Sequence, residues 1–227
     1  MSRESFVGRR QVLRAAAAAP VDVALVLAAD CSGSISNEAL ALQVQGYARA
    51  ITSAAFIAAV QSGYHQRIAL TFVRWAEASR QDQAVPWTVI GDLAAARAFV
   101  ETLLAAPFAT PGYTSISGAI DFSRRLLLDC RYPAMRRVID VSGNGRNNDG
   151  RSVTAARDEA VAAGIGINGL PIVNDEADIV AYYIRNVIGG PAAFVSVVED
   201  LESFEHAVQR KLVIEVAAVP VDSKRLA

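Results

Sequence analysis

Asp30, Ser32 and Ser34 stand at alternate positions in the stretch AADCSGSISNEAL, residues 28–40, with Gly33 between the two hydroxyls. One carboxylate and two hydroxyls at i, i+2 and i+4 can serve a nucleophile, a phosphate cradle or a cup for a hard cation. The preceding run VDVALVLAA (21–29) is continuously apolar, as in a strand covered on both faces. The three side chains therefore lie where a core strand ends, and the other elements decide which chemistry they serve.

Those elements alternate along the chain. Strands are predicted at 21–29, 67–76, 84–90, 136–143, 164–173 and 192–198. The third reads as an edge strand, where Pro86 is tolerable. Helices are predicted at 36–60, from the cap Asp92 to about 106, and at 115–129, 152–163, 177–187 and 201–216. This order implies an α/β fold: a doubly wound, mostly parallel six-stranded sheet with helices on both faces. In such sheets ligands sit beyond the carboxyl ends of the strands, where strand order reverses. The carboxyl end of the first strand is where Asp30 lies. No linker, low-complexity tract or repeat divides residues 21–216, which read as one domain between a leader (1–20) and a tail (217–227).

Composition narrows the function classes. A chain of 227 residues with 52% hydrophobic and 20% charged residues is globular and has ample material for a core. A net charge of −1 gives no basic face for nucleic acid. No apolar stretch reaches the ~18–20 residues of a membrane span. The two cysteines, Cys31 and Cys130, cannot form a disulfide framework, and they are expected at opposite ends of the sheet. In the leader, Arg9-Arg10 before Val12-Leu13 resembles the start of a twin-arginine export signal, although the apolar core of such a signal is missing. An unstructured or loosely helical leader is the plainer reading. An exported chain would be periplasmic or secreted; a chain without a signal stays cytoplasmic.

Four enzymatic readings are weak in context. There is no G-x-x-x-x-G-K-[ST] string for an NTPase. GIGING (164–169) matches G-x-G-x-x-G, but a helix precedes it and a strand runs through it, the reverse of a dinucleotide site. A serine hydrolase needs G-x-S-x-G and a histidine, whereas neither Ser32 nor Ser34 is flanked by two glycines at those positions. The two histidines, His65 and His206, fall in a loop and on the last helix. CRYPAMR (130–136) has phosphatase C-x5-R spacing, yet it runs from helix to strand and spends a position on Pro133. A phosphatase or hydrolase using Cys130 or the serines remains the enzymatic alternative; the expectation is a protein that is not an enzyme.

The cation reading fits better. Carboxylate and hydroxyl oxygens are hard ligands suited to Mg²⁺, Mn²⁺ or Ca²⁺. Two further loops can complete such a cup: PGYTSISG (111–118), with Thr114 just before a helix, and the loop opening with Gly143-Asn144-Gly145 after the strand at 136–143. Plain capping of the following helices by Ser32, Ser34 and Thr114 is the competing explanation.

D-x-S-x-S after the first strand, a threonine before a middle helix and a polar residue after the next strand resemble a von Willebrand factor A domain. VDVALVLAADCSGS, TSISGAIDFS and RRVIDVSGNGRNNDG are similar to a bacterial subgroup of that family, the DUF1194-like proteins, over roughly residues 21–216. The resemblance implies a metal-ion-dependent adhesion site. Ser32, Ser34 and Thr114 would offer hydroxyls to the cation, and Asp30 would act mainly through water and by orienting the serines. The family supplies a second aspartate where this chain has Asn144, so the resemblance implies weakened cation binding here. It also implies recognition of a protein partner that gives a carboxylate to the metal. A metal-free scaffold that binds protein by shape is the third possibility.

Overall fold

The first strand, β1 (Val21–Asp30), is buried along its whole length. Its side chains divide by parity: Val23, Leu25 and Leu27 enter one core and Ala24, Val26 and Ala28 the other. The computed structural model describes residues 18–33, 35–106, 112–173, 178–200 and 203–217. Ser34 and nearly all of the expected leader and tail lie outside the described residues.

β2 (Ile68–Trp75) and β4 (Ala134–Gly143) flank β1 in parallel, and β5 (Ile165–Pro171) continues the sheet beyond β4. β3 (Gln81–Ile90) closes the other edge antiparallel to β2, giving the order β3-β2-β1-β4-β5. On one face lie α1 (Asn37–Ile51), α2 (Ala54–Gln61), α3 (Leu93–Ala105) and α7 (Phe204–Val216). On the other lie α4 (Ile116–Leu128), α5 (Val153–Ala162) and α6 (Ile179–Tyr182), which continues as a π-helical turn, Tyr183–Val187. The sheet is thus doubly wound, with strand order reversing between β1 and β4.

Two expectations need correction. The named sheet has five strands, not six. Residues 192–198 do run parallel to β5, but only as two isolated bridges, Gly169 with Val195 and Ile172 with Val198. Gly169 N–H donates to Phe194 O, Ser196 N–H to Gly169 O, Val198 N–H to Pro171 O and Val173 N–H to Val198 O. The rung between the first and last pairs would need an N–H from Pro171, which has none, so the ladder breaks there. The helix expected over 36–60 is also two helices. Ser53 accepts from Phe56 N–H as the cap of α2, and the Thr52 hydroxyl turns back to Ala48 O at 2.8 Å.

Candidate metal centre

Strand order reverses between the ends of β1 and β4, and there the structure brings together Asp30, Ser32, Thr114 and Asn144. Asp30 is fully buried. Its Oδ1 accepts the Ser32 N–H at 2.7 Å, and the Asn144 backbone N–H also donates to the carboxylate. Its Oδ2 is buried with no hydrogen-bond partner in the protein. Burial pushes this carboxyl up to about 6, against the hydrogen bonds from Ser32 and Asn144 that restrain the rise. The Thr114 hydroxyl donates to Ser32 Oγ at 3.2 Å, and both side chains are buried.

Neither hydroxyl is spent on a helix end. Ser36 caps α1 and Ser115 caps α4, accepting from Ala39 and Gly118 N–H. The capping explanation therefore fails for Ser32 and Thr114; Ser34 lies outside the described residues.

The loop after β4 holds Thr114 in place. Thr114 N–H donates to Asn148 Oδ1 at 2.8 Å, and Thr114 O accepts from Asn148 N–H at 2.9 Å. Asn147 Oδ1 accepts from Ser117 N–H at 2.9 Å, and the Asp149 carboxylate accepts from Ala78 N–H at 2.7 Å. Gly33 N–H reaches Gly112 O at 2.9 Å and ties the first loop to the second. The sequence reading gave a role only to Asn144 in this loop; in the structure Asn148 also holds Thr114, and Asn147 holds Ser117 at the start of α4. Nor do the nearby aspartates restore the charge absent at Asn144. Asp149 is engaged with Ala78, and Asp140 pairs with Lys211 Nζ at 2.7 Å inside the core.

These residues fit a hard cation. Ser32 Oγ and Thr114 Oγ1 lie side by side, the Ser32 side chain also hydrogen-bonds the Asp30 carboxylate, and Asp30 Oδ2 has no protein partner. Among the described residues no group of three or more His, Cys, Asp or Glu could hold a metal, so a cation here would rest on hydroxyls and one carboxylate. The C-x5-R stretch does not form a phosphatase loop. Cys130 lies between α4 and β4 with its thiol pushed up by burial, opposite to what a thiolate nucleophile requires. The Arg136 guanidinium donates to Glu215 O and Ala217 O at the end of α7. GIGING runs from the end of α5 into β5, as a strand rather than a phosphate turn. Cys31 and Cys130 are both free thiols, and burial pushes Cys31 up to about 12.

Comparison with known proteins bears on fold and family. Proximal thread matrix protein 1 (PTMP1) from the mussel byssus, in a structure with a zinc-occupied MIDAS motif, superposes with a TM-score of 0.62 at 11% identity, over 87% of this chain and 46% of that one. A von Willebrand factor type A structure from Catenulispora acidiphila gives 0.60 at 14% identity, over 86% and 42%. The vWF domain of the type V pili tip protein Mfa5 from Porphyromonas gingivalis gives 0.60 at 9% identity, over 89% and 98%. The chain thus spans less than half the length of the first two. No curated protein matches it in sequence. Residues 20–220 match the family described as "Protein of unknown function (DUF1194)". The chain belongs to the DUF1194 family, and its fold is that of a von Willebrand factor A domain.

Proposed function

We propose that this protein recognises a protein partner through a divalent cation held by Ser32, Ser34 and Thr114, with Asp30 acting through water and Asn144 shaping the cup. The observation that carries this reading is the pair of buried hydroxyls 3.2 Å apart, one of which also hydrogen-bonds the buried Asp30 carboxylate. Oxygen-only donors favour Mg²⁺, Mn²⁺ or Ca²⁺. The cation would supply a Lewis-acidic position for a partner carboxylate. The protein's own part is to hold the hydroxyls and to keep Asp30 buried and oriented. This is recognition rather than turnover. The zinc-occupied MIDAS motif named for the byssal protein and the pilus-tip origin of another neighbour support a cation-dependent binding role. The pilus-tip neighbour and the Arg9-Arg10 leader also support a location outside the cytoplasm. Among the described residues no helix is long and apolar enough to cross a membrane.

Titration calorimetry with Mg²⁺, Mn²⁺ and Ca²⁺ tests the reading. The wild-type chain should bind at least one of them. Ser32→Ala, Ser34→Ala and Thr114→Ala should each weaken binding at least tenfold, about 1.4 kcal/mol or more, while far-UV circular dichroism stays unchanged. A wild-type chain that binds none of the three would leave a metal-free scaffold.

A further inference from the structure

Two buried oxygens at this site have no hydrogen-bond partner in the protein: Asp30 Oδ2 and the Tyr183 hydroxyl. They are neighbours. A Cβ built on Gly143 would stand 2.8 Å from Asp30 Oδ2 and 2.9 Å from the Tyr183 hydroxyl. Both oxygens therefore close over Gly143, with Asp30 Cβ at 3.1 Å beside them, nearer than any side chain at residue 143 would allow. A second glycine admits the ring, since a Cβ on Gly169 would come within 2.8 Å of Tyr183 Cδ1. Gly143 ends β4 and Gly169 lies in β5, so Tyr183 is slotted over two glycines of adjacent strands. The residue opens the π-helical turn, a local widening that recurs at functional sites. Burial first, and Asp30 next, push its hydroxyl well above the usual phenol range, so it remains a donor. Buried polar groups without partners are costly and few; here two of them lie against one glycine.

We propose that Tyr183 is a positioning residue of the cation site: its hydroxyl and Asp30 Oδ2 together hold one water between them, fixing the orientation in which Asp30 meets a cation. The water accepts from the phenol and donates to the carboxylate. The geometry stands on this chain alone, and its consequence for affinity rests on the cation reading above. A tyrosine that only fills the core would leave affinity untouched when its hydroxyl is removed.

Two measurements separate these. In Tyr183→Phe, which keeps the ring, Mn²⁺ affinity by calorimetry should fall about three- to tenfold, the range of one hydrogen bond. The melting temperature in chelator should fall only slightly, because one water-mediated hydrogen bond is lost while the ring still fills its place. Unchanged Mn²⁺ affinity in Tyr183→Phe would overturn the positioning role. The second measurement needs no cation: the 13Cζ resonance of Tyr183, assigned by its loss in Tyr183→Phe, should shift in Asp30→Asn in the presence of chelator. No shift would overturn the bridge itself. Were the wild-type chain to bind no cation, the function proposed above would fall with the affinity arm, and the resonance would still decide whether phenol and carboxylate are joined.

Discussion

At residue 144 the loop after β4 offers a backbone N–H to Asp30 where the resembled family supplies a second aspartate. Asp30 is thus the one formal negative charge among the described residues that meet there. Asn144→Asp should tighten Mg²⁺ binding by roughly 1–3 kcal/mol, since one added charge at about 4 Å is worth ~1–4 kcal/mol between bulk water and the protein surface. In chelator the same change should lower the melting temperature, because a second carboxylate then faces one already pushed up by burial. Matched thermal melts with and without Mg²⁺ check this, and parallel shifts would place residue 144 away from the cation. At this scale the meeting of Asp30, Ser32 and Thr114 was legible from their places at strand ends and from the resemblance to the A-domain pattern. Asn148 and Tyr183 were not. An asparagine in a turn and a tyrosine in an apolar helix each have a commoner explanation, and their contacts lie 34 residues away for Asn148 and across the sheet for Tyr183.

Among the elements, α7 is fastened to the sheet by charge as well as by its apolar face. Lys211 Nζ is buried, 2.7 Å from Asp140 Oδ1 of β4 and 2.5 Å from Glu215 Oε1. Asn168 of β5 donates to the same Glu215 oxygen at 2.8 Å. Lys211→Met would leave two carboxyls buried without their cation. It should cost about 3 kcal/mol or more at pH 7.5 by urea unfolding, the range for breaking a buried pair. At pH 5 the loss should shrink, because Asp140, pushed up to about 7 chiefly by burial, can then be protonated; an equal loss at both pH values would mean that Lys211 acts by packing alone. The strands and helices themselves were largely readable from apolar runs and caps. The misreadings came from single residues that act on the backbone. Thr52 and Ser53 end one helix and start another inside an apolar pattern that spans both. Pro171 removes one N–H that only matters once a neighbouring strand is in place.

For the molecule as a whole, two buried acids link the folding equilibrium to the site. Asp140 is pushed up to about 7, chiefly by burial and then by Glu215, while Lys211 opposes the rise. Asp30 is pushed up to about 6, chiefly by burial. Both are raised from 3.8, so the folded chain holds these protons more tightly than the unfolded chain does. Their contribution to stability is complete below about pH 4 and is lost as pH climbs through 6 and 7. In chelator the melting temperature should therefore fall between pH 5 and pH 8, and Asp140→Asn, which mimics the protonated acid, should flatten part of that fall. A cation changes the balance at one acid only. Proton and cation compete for Asp30, whereas Asp140 is paired with Lys211 in the core. Excess Mg²⁺ should then raise the melting temperature more at pH 8 than at pH 5, in the wild-type chain and in Asp140→Asn alike. Melts at the two pH values, each in chelator and in Mg²⁺, measure both effects at once. A Mg²⁺ increment equal at pH 5 and pH 8 would mean that the cation does not need the Asp30 carboxylate, and that the cup lies elsewhere.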